Sequence, residues 1–252
     1  MEKLLASFAL CLGFFSRIPL PAALAQRITP DAKLNEAVLA FPLVGLFIGM
    51  FPAIVWYFSS LILAPTIAAG LAIAVGMMLT GALHEDGFAD CADGLGATPD
   101  REKALEIMRD SRIGTYGALA LVTSVGLRWF ALATLAPISG FFALLIAYPC
   151  SRAAMIIPMR YLQYARKEGL ATQASGEIPS GGFETAMVIA LIIAILFGWI
   201  EGVLALAIGL SMTFLYMRYL EHRIGGYTGD GLGATQQIAE IAILIALSGL
   251  WA

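Results

Sequence analysis

The feature that most constrains this chain is a series of apolar segments, each about as long as a membrane is thick. The hydrocarbon core of a bilayer is about 30 Å thick and needs roughly 20 apolar residues per helix. Segments of this kind recur along the sequence, which predicts an all-α, polytopic membrane helix bundle of about seven transmembrane helices. The predicted spans lie near Ala37–Leu63, Pro65–Leu83, Gly117–Ala136, Ile138–Pro158, Ala186–Ile200, Gly202–Met217 and Ile238–Trp251.

Composition supports the membrane class. Of the 252 residues, 60% are hydrophobic and 13% are charged, whereas a soluble domain carries about 25% charged residues. No run of Lys and Arg suggests a nucleic-acid surface, so we expect no nucleic-acid partner. Cys11, Cys91 and Cys150 show no CxxC spacing and are expected to be single thiols. We treat 1–252 as one integral-membrane domain surrounded by lipid.

Two segments differ from simple spans. Leu4–Phe15 is too short to cross a bilayer easily. The charged Arg17 that follows does not fit the cleavage region of a signal peptide. We therefore expect an interfacial or re-entrant segment at the N-terminus. The fifth and sixth predicted spans are short and meet at Trp199–Gly202, so they are also compatible with a single hairpin.

Positive charge is confined to alternate connections. Those near Ala64, Pro137 and Glu201 are very short and contain no Lys or Arg. Cytoplasmic loops carry an excess of these residues, so the longer connections are predicted to face the cytoplasm. A polar chemistry confined to one face differs from a transporter, which usually places its polar groups near the midplane. The basic residues used for this orientation are Lys3, Arg17, Arg27, Lys33, Arg101, Lys103, Arg109, Arg112, Arg160, Arg166, Lys167, Arg218 and Arg223.

The richest polar stretch is HEDGFADCADGLGA, residues 84–97. Asp86, Asp90 and Asp93 are spaced i, i+4, i+7 and share one face of a helix, where like charges repel. A divalent cation among them would relieve this repulsion, and hard oxygen ligands suit Mg²⁺, with Mn²⁺ as a second choice. Glu85 is expected to support this metal site. The alternatives are a solvated acidic helix end and an ion or proton pathway.

The hexapeptide DGLGAT occurs twice, at Asp93–Thr98 and at Asp230–Thr235. The match predicts two half-sites that face each other, with Asp230 either completing the metal site or acting as a base. The alternative is a plain turn between two spans. Glu240 follows inside an apolar helix, where a buried acid needs a partner. Arg128 lies within another span and is interpreted as a buried pair, a snorkelling anchor or a contact towards the site.

Basic side chains suited to phosphate lie near the acidic cluster. Arg109 and Arg112 are spaced i, i+3 in EIMRDSRIGTYG, and Arg152 lies in PCSRAAM. The guanidinium fork matches phosphate oxygens, although ordinary positive charge beside a span is the alternative. A carboxylate-bound metal beside arginines points to phosphoryl transfer with a diphosphate leaving group.

An acceptor hydroxyl would need a base, and three acidic or imidazole side chains lie within reach of the cluster. The candidates are Asp93, His84 and Asp230.

Five motifs carry a resemblance that extends over nearly the whole chain. They read FFSRIPLP, HEDGFADCADGLGA, EIMRDSRIGTYGALAL, PCSRAAM and GGYTGDGLGAT. In order and spacing the sequence resembles the cobalamin (5′-phosphate) synthase family, also called adenosylcobinamide-GDP ribazoletransferases. The resemblance implies a Mg²⁺-requiring enzyme of the bacterial inner membrane. It would join α-ribazole or its 5′-phosphate to adenosylcobinamide-GDP and release GMP, late in the assembly of the cobalamin nucleotide loop.

Two other classes remain open from the residues alone. Asp86–Gly87 begins like the motif of CDP-alcohol phosphotransferases, but Asp90 and Cys91 stand where that motif has Ala and Arg. That likeness supports metal-dependent phosphotransfer only by analogy. A transporter of a corrinoid or a cation is the other alternative. The oligomeric state is left open.

Overall fold

The computed structural model describes residues 2–166 and 176–251. Within these residues the chain is helical, and a single isolated bridge between Tyr164 and Tyr227 is the only β pairing, which confirms the all-α prediction. Lys167, one of the charges used to orient the chain, lies outside the described residues. The helices are α1 Glu2–Phe15, α2 Ala22–Ala25, α3 Phe41–Ser60, α4 Pro65–Thr80, α5 Leu83–Ala97, α6 Arg101–Ile107, α7 Thr115–Ala133, α8 Pro137–Ala154, α9 Ile156–Tyr161, α10 Gly182–Ile224 and α11 Gly229–Trp251.

Five helical segments in the described ranges are long and apolar enough to cross a membrane, or six if α4 and α5 together form one bent span. The short N-terminal helix α1 is not among them. The membrane class predicted from composition is therefore confirmed at the level of five to six candidate spans.

Helix α10 is a hairpin. It has 43 residues, but Trp199 inside it has the non-helical angles φ 47° and ψ −132°. A Cβ added to Gly202 would overlap the carbonyl oxygen of Ala194, whereas residues eight apart in a straight helix are about 12 Å apart. The chain therefore reverses at Trp199, and 182–198 and 200–224 form two legs.

A sharp break separates α4 from α5. Gly81 and Ala82 both adopt left-handed backbone angles, with φ 63° and 56°, and the two helix axes differ by 89°. Glycine adopts this region readily, but alanine does so at a cost in free energy. The predicted span Pro65–Leu83 is therefore too long at its end, because the helix stops at Thr80. The acidic stretch starts a separate helix that turns across the bundle.

Close helix packing holds the centre of the bundle together. Gly45 and Gly49, one turn apart on α3, face the backbone of Pro149 and the side chain of Tyr148 on α8, where an added Cβ would lie 2.7 and 2.6 Å away. Small residues allow such backbone approach between membrane helices. Helix α11 packs on α5, α7, α8 and α10. The three cysteines are free and buried, as predicted.

Candidate active site

The starts of α5 and α11 cross at a contact between glycines. A Cβ on Gly87 would lie 3.0 Å from the Cα atom and the carbonyl oxygen of Asp230, and one on Gly233 would lie 3.3 Å from the carbonyl oxygen of His84. A side chain at either position would push the helices apart. The glycines within the two acidic motifs therefore bring Asp230 to the side of α5 that carries the first acids.

Three carboxylates gather at this crossing with one arginine. Asp86 and Asp230 both lie close enough to Asp90 to repel its negative charge, and Arg166 lies close enough to attract it. Arg166 forms an ion pair with Asp230, with Nη2 and Oδ2 2.7 Å apart. Arg109 is near enough to add attraction to Asp230. The structure therefore brings together Asp86, Asp90, Asp230 and Arg109 from the predicted set.

Arg166 was missed as a site residue, because the sequence identified it only as a charge in a loop. Its side chain is 9% exposed and lies beside Asp230, whose side chain is 23% exposed. The two residues are far apart in sequence and belong to different connections, so no helical or strand periodicity links them. The only available signal was that both connections were predicted to lie on the same face.

A cavity of about 270 Å³ opens beside this cluster. One end is polar and is formed by His84, Asp86, Arg166 and Asp230. Nε2 of His84 and Nε of Arg166 are buried and have no hydrogen-bond partner among the described residues. The remaining wall is mainly apolar and includes Phe14, Phe15, Leu34, Phe41, Leu83, Met155 and Leu232.

The segment that carries Arg166 is fixed by backbone bonds to the segment before Asp230. The amide of Ala165 donates to the carbonyl of Tyr227 at 2.8 Å, and the amide of Tyr227 donates to the carbonyl of Gln163 at 2.9 Å. Tyr164 also lines the cavity, and burial raises its pKa. Burial and the neighbouring Tyr164 raise the pKa of Tyr227 to about 12. Both phenols are therefore neutral hydroxyl groups at physiological pH.

Two arginines tie the ends of the repeated hexapeptides together. Arg101 lies just after the first copy, and its Nε donates to the carbonyl of Ile224 at 2.9 Å. Its Nη2 donates to the carbonyl of Ala165 at 3.1 Å. Arg223 lies before the second copy and donates to the carbonyl of Thr98 at 2.5 Å. These hydrogen bonds fix the connection after α5 and the connection before α11 relative to each other, and they hold the segment that carries Arg166 against both.

Asp93 is bonded differently from Asp230, although both begin the same hexapeptide. The amides of Gly114 and Gly117 donate to its two carboxylate oxygens at 2.7 and 2.8 Å. Asp93 therefore caps the N-terminus of α7, where a negative charge is favourable. It lies six residues beyond Gly87, about 9 Å along α5 from the crossing with Asp230.

Glu85 and Arg152, predicted as a metal ligand and a phosphate contact, lie in a buried network between α5, α7, α8 and α11. Nη1 of Arg128 is 2.9 Å from Oε1 of Glu85 and 3.0 Å from Oε1 of Glu240. Nη1 of Arg152 is 4.0 Å from Oε2 of Glu240 and donates to the carbonyl of Tyr148 at 3.0 Å. The expectation that Glu240 has a buried partner is confirmed.

Amide side chains complete this network. Gln236 donates to Oε2 of Glu240 at 2.5 Å and to the hydroxyl of Ser151 at 3.0 Å. Gln237 accepts from the hydroxyl of Ser124 at 2.7 Å. Two arginines and two glutamates balance in charge, as burial requires. The network joins four helices behind the cavity.

Arg112, predicted to contact phosphate, is at the surface. Its side chain is 87% exposed and is paired with Asp110, with Nη2 and Oδ2 2.6 Å apart. Hydrogen bonds from the side chain and backbone of Arg112 lower the pKa of Asp110 to about 2. Arg112 lines a second, open cavity of about 540 Å³ that also contains Asp93.

The donors at the crossing match a hard cation in kind. Asp86, Asp90 and Asp230 offer only carboxylate oxygens, which suit Mg²⁺ or Mn²⁺ better than zinc. In the parts of the chain that the structure describes, no three His, Cys, Asp or Glu side chains are already arranged as a metal centre. Of the predicted ligands, Glu85 is bonded to Arg128 and Asp93 to α7.

Comparison with known proteins gives one consistent family. The family described as cobalamin-5-phosphate synthase matches residues 7–248. A protein of Rhizobium meliloti named adenosylcobinamide-GDP ribazoletransferase is 41% identical over 98% of both chains. Proteins of the same name from Azorhizobium caulinodans and Leptothrix cholodnii are 42% identical, covering 98% of this chain and 96% of theirs, and 36% identical, covering 97% and 96%. No solved structure matches. The chain therefore belongs to the cobalamin-5-phosphate synthase family.

Proposed function

We propose that this protein transfers the cobinamide-phosphate group of adenosylcobinamide-GDP to α-ribazole or its 5′-phosphate, releasing GMP. The observation that carries the proposal is the group of Asp86, Asp90, Asp230 and Arg166 beside a cavity of nucleoside size, in a family whose relatives bear that activity as their name. Acidic side chains that can hold a divalent cation, next to an arginine, suit the transfer of a phosphoryl group from a diphosphate to an alcohol.

Three arginines are proposed to bind the phosphates, and a fourth is proposed to help orient the site. Arg166 is the first, because it is buried at the cavity and its Nε has no partner among the described residues. Arg109 acts beside it, and Arg112 reaches the outer part of the diphosphate from the surface. Arg152 is pinned by the buried network, so we assign it a smaller part in orienting the site.

Asp86, Asp90 and Asp230 are proposed to hold Mg²⁺, or Mn²⁺ in its place, with Glu85 and Asp93 behind them. When bound there, the cation neutralises phosphate charge and stabilises the leaving GMP oxygen. The carboxylates keep this end of the cavity negative when the cation is absent, and the ion pair with Arg166 offsets part of that charge.

In the proposed reaction, a ribose hydroxyl oxygen of ribazole forms a bond to the phosphorus attached to cobinamide. The bond between that phosphorus and the oxygen of GMP breaks, and GMP leaves with the electron pair. The hydroxyl proton passes to a base. Asp230 and His84 line the cavity, whereas both oxygens of Asp93 already accept amide hydrogen bonds. We therefore favour Asp230 or His84 over Asp93 as the base.

We place the protein in the bacterial inner membrane with seven spans and its site facing the cytoplasm. Seven follow if α4 with α5 counts as one span and α10 as two. Contacts between the short connections support this arrangement. Trp56 donates to the carbonyl of Pro137 at 2.9 Å and Trp129 to that of Thr66 at 2.6 Å, while Trp251 packs near Gly198. These tryptophans lie at the end opposite the site. Trp56 is fully buried there, whereas Trp129 is 38% exposed, as expected for an aromatic side chain at a membrane interface.

The test uses the purified full chain in detergent with adenosylcobinamide-GDP, α-ribazole and Mg²⁺. We expect GMP and a cobalamin product in equal amounts, and neither when Mg²⁺ is removed by a chelator. A CDP-alcohol phosphotransferase would instead release CMP from a CDP-alcohol. A transporter would accumulate its substrate in sealed vesicles without forming a covalent product. Either result, together with no GMP, would refute the proposal.

A further inference from the structure

We propose that the 270 Å³ cavity between α1, α3, α5 and α11 is the binding pocket for the aromatic base and ribose of the acceptor nucleoside. This inference rests on the proposed function and assigns one of its two substrates to a place. The corrinoid donor is assigned elsewhere, to the open face outside the cavity. The size of the cavity, the residues of its walls and two buried polar atoms support this assignment.

Size separates the two substrates. Pockets for drug-sized ligands have volumes of about 300–1,000 Å³, and this cavity has about 270 Å³. That volume suits one nucleoside. A corrin ring with its side chains, nucleotide and adenosyl group is several times larger and does not fit. The acceptor is therefore the substrate that can enter.

The walls match a flat apolar base. Phe14, Phe15 and Phe41 contribute aromatic rings to the wall, and Leu34 contributes an aliphatic side chain. The ring centroids of Phe15 and Phe41 are 4.8 Å apart in an edge-to-face arrangement. This packing provides a rigid surface for another aromatic ring. Phe15, Leu34 and Phe41 are nearly fully buried in the protein, each 1% exposed, so this part of the wall belongs to the protein core, whereas Phe14 and Leu83 are each 37% exposed.

The polar end matches a ribose. His84 is 2% exposed, its ring centroid is 5.7 Å from that of Phe15, and its Nε2 has no hydrogen-bond partner among the described residues. Nε of Arg166, a second residue that lines the cavity, is unpartnered in the same sense. A buried polar atom without a partner costs free energy, and ribose hydroxyls would supply partners. A lipid chain would fill the apolar part but would leave both atoms unpaired.

Binding of the nucleoside in this cavity would also position its ribose relative to the donor phosphorus. With the base against the phenylalanines, the ribose lies beside Asp86 and Asp230, where the phosphorus of the donor must arrive. The apolar wall then sets which bases are accepted, because each extra methyl group needs space that Leu34 and Phe41 leave open. An added or missing methylene in such a pocket changes discrimination by about 10- to 200-fold.

The experiment measures binding of α-ribazole to the full chain in detergent without the donor, and the KM of each substrate from GMP release. Leu34→Phe fills the pocket. We expect the Kd and KM for ribazole to rise about ten-fold or more, while the KM for adenosylcobinamide-GDP stays within about two-fold. Leu210→Phe is the matched control, because Leu210 lines a separate apolar cleft between α9 and the legs of α10. It should leave both KM values unchanged.

Phe14→Ala provides a second variant in case Leu34→Phe does not fold, because Phe14 is 37% exposed at the rim and its truncation removes contact without overpacking. If Leu34→Phe folds and binds ribazole as tightly as the wild type, the pocket assignment is wrong. If Leu34→Phe does not fold, unchanged ribazole binding in Phe14→Ala has the same meaning. In both cases GMP release by the wild type would still support the proposed function. Loss of a co-purified phospholipid instead of ribazole affinity would also overturn it. Failure of the proposed function would look different, because the wild type itself would release no GMP.

Discussion

Glu85 and Asp86 are neighbours in sequence, yet they belong to two regions with different arrangements of charge. In one region opposite charges are paired and buried, and in the other like charges lie close together. Glu85 points into a closed network where two glutamates and two arginines neutralise one another away from solvent. Asp86 is exposed and lies with Asp90 and Asp230, where Arg166 and Arg109 are the nearby cations. The closed region can hold helices in place without any ligand. The open region keeps repulsion between acids that a bound cation would relieve.

The largest effect is expected where the closed region is broken. Arg128→Met leaves Glu85 buried without its ion-pair partner and leaves Glu240 with Arg152 at 4.0 Å as its remaining cation, and removal of one member of a buried ion pair typically costs about 3–5 kcal/mol. The Tm in detergent should therefore fall strongly. The double variant Arg128→Met/Glu240→Gln restores charge balance and should recover much of the loss. A Tm equal to wild type in the single variant would contradict a closed network.

In the open region, neutralising an acid should reduce activity and not stability. Asp86→Asn, Asp90→Asn and Asp230→Asn should each lower the rate of GMP release by about 10²-fold, because a metal ion contributes several kcal/mol to charge stabilisation and 1.4 kcal/mol is ten-fold in rate. The Tm should stay constant or rise in Asp86→Asn and Asp90→Asn, since repulsion is relieved, and should stay nearly constant in Asp230→Asn, where this relief offsets the weakened pair with Arg166. Full activity in all three variants would remove the metal assignment.

The two copies of the hexapeptide offer a smaller contrast. Asp93→Ala removes the cap of α7 and should destabilise the protein by about 1 kcal/mol, as lost N-caps do. Asp230→Ala removes no hydrogen bond that caps a helix, and relief of its repulsion with Asp90 offsets the lost ion pair with Arg166, so the Tm should stay nearly unchanged. Thermal unfolding of both variants side by side is the measurement. Equal losses would mean that the copies are structurally equivalent.

The smallest effect is expected at the exposed pair. Hydrogen bonds from Arg112 lower the pKa of Asp110 to about 2, below the ordinary value near 3.9. The pair of Asp110 with Arg112 therefore stabilises the protein above about pH 4, and this stabilisation is lost as the pH falls towards 2. The small Tm difference between wild type and Asp110→Asn should shrink over that range. A difference that grew on acidification would have the wrong sign.

The sequence predicted the helix bundle and named four residues that the structure brings close together, Asp86, Asp90, Asp230 and Arg109, whose roles stay predictions. Bilayer thickness sets the length of an apolar helix that crosses the membrane, so the spans could be predicted from the sequence. The spacing of Asp86, Asp90 and Asp93 placed them on one face, but spacing carries no information on depth. Asp93 is bound to α7 and is only 8% exposed, whereas Asp86 faces the open region.

What the sequence could not reveal depended on long-range contacts and on strained backbone. The turn at Ala82, with φ 56°, has no composition signal, because alanine normally favours helix. The pair of Arg166 and Asp230 joins two connections that no periodicity relates. The partner of Glu240 was predictable in kind, since a buried acid needs one, but the choice of Arg128 required the packing of α7 on α11.

The buried network also determines the order in which its charged residues can pair during synthesis of the chain. Arg128 and Glu240 are 112 residues apart, and at synthesis rates of about 5–20 residues per second the ribosome reaches Glu240 on the order of 10 s after Arg128. Until then Glu85, already made, is the one acidic member of the network that can accompany Arg128 into the nascent bundle. Helix α11 then brings Glu240, Gln236 and Asp230 together, so the network closes and the proposed metal-binding acids are completed in the same late step of biogenesis.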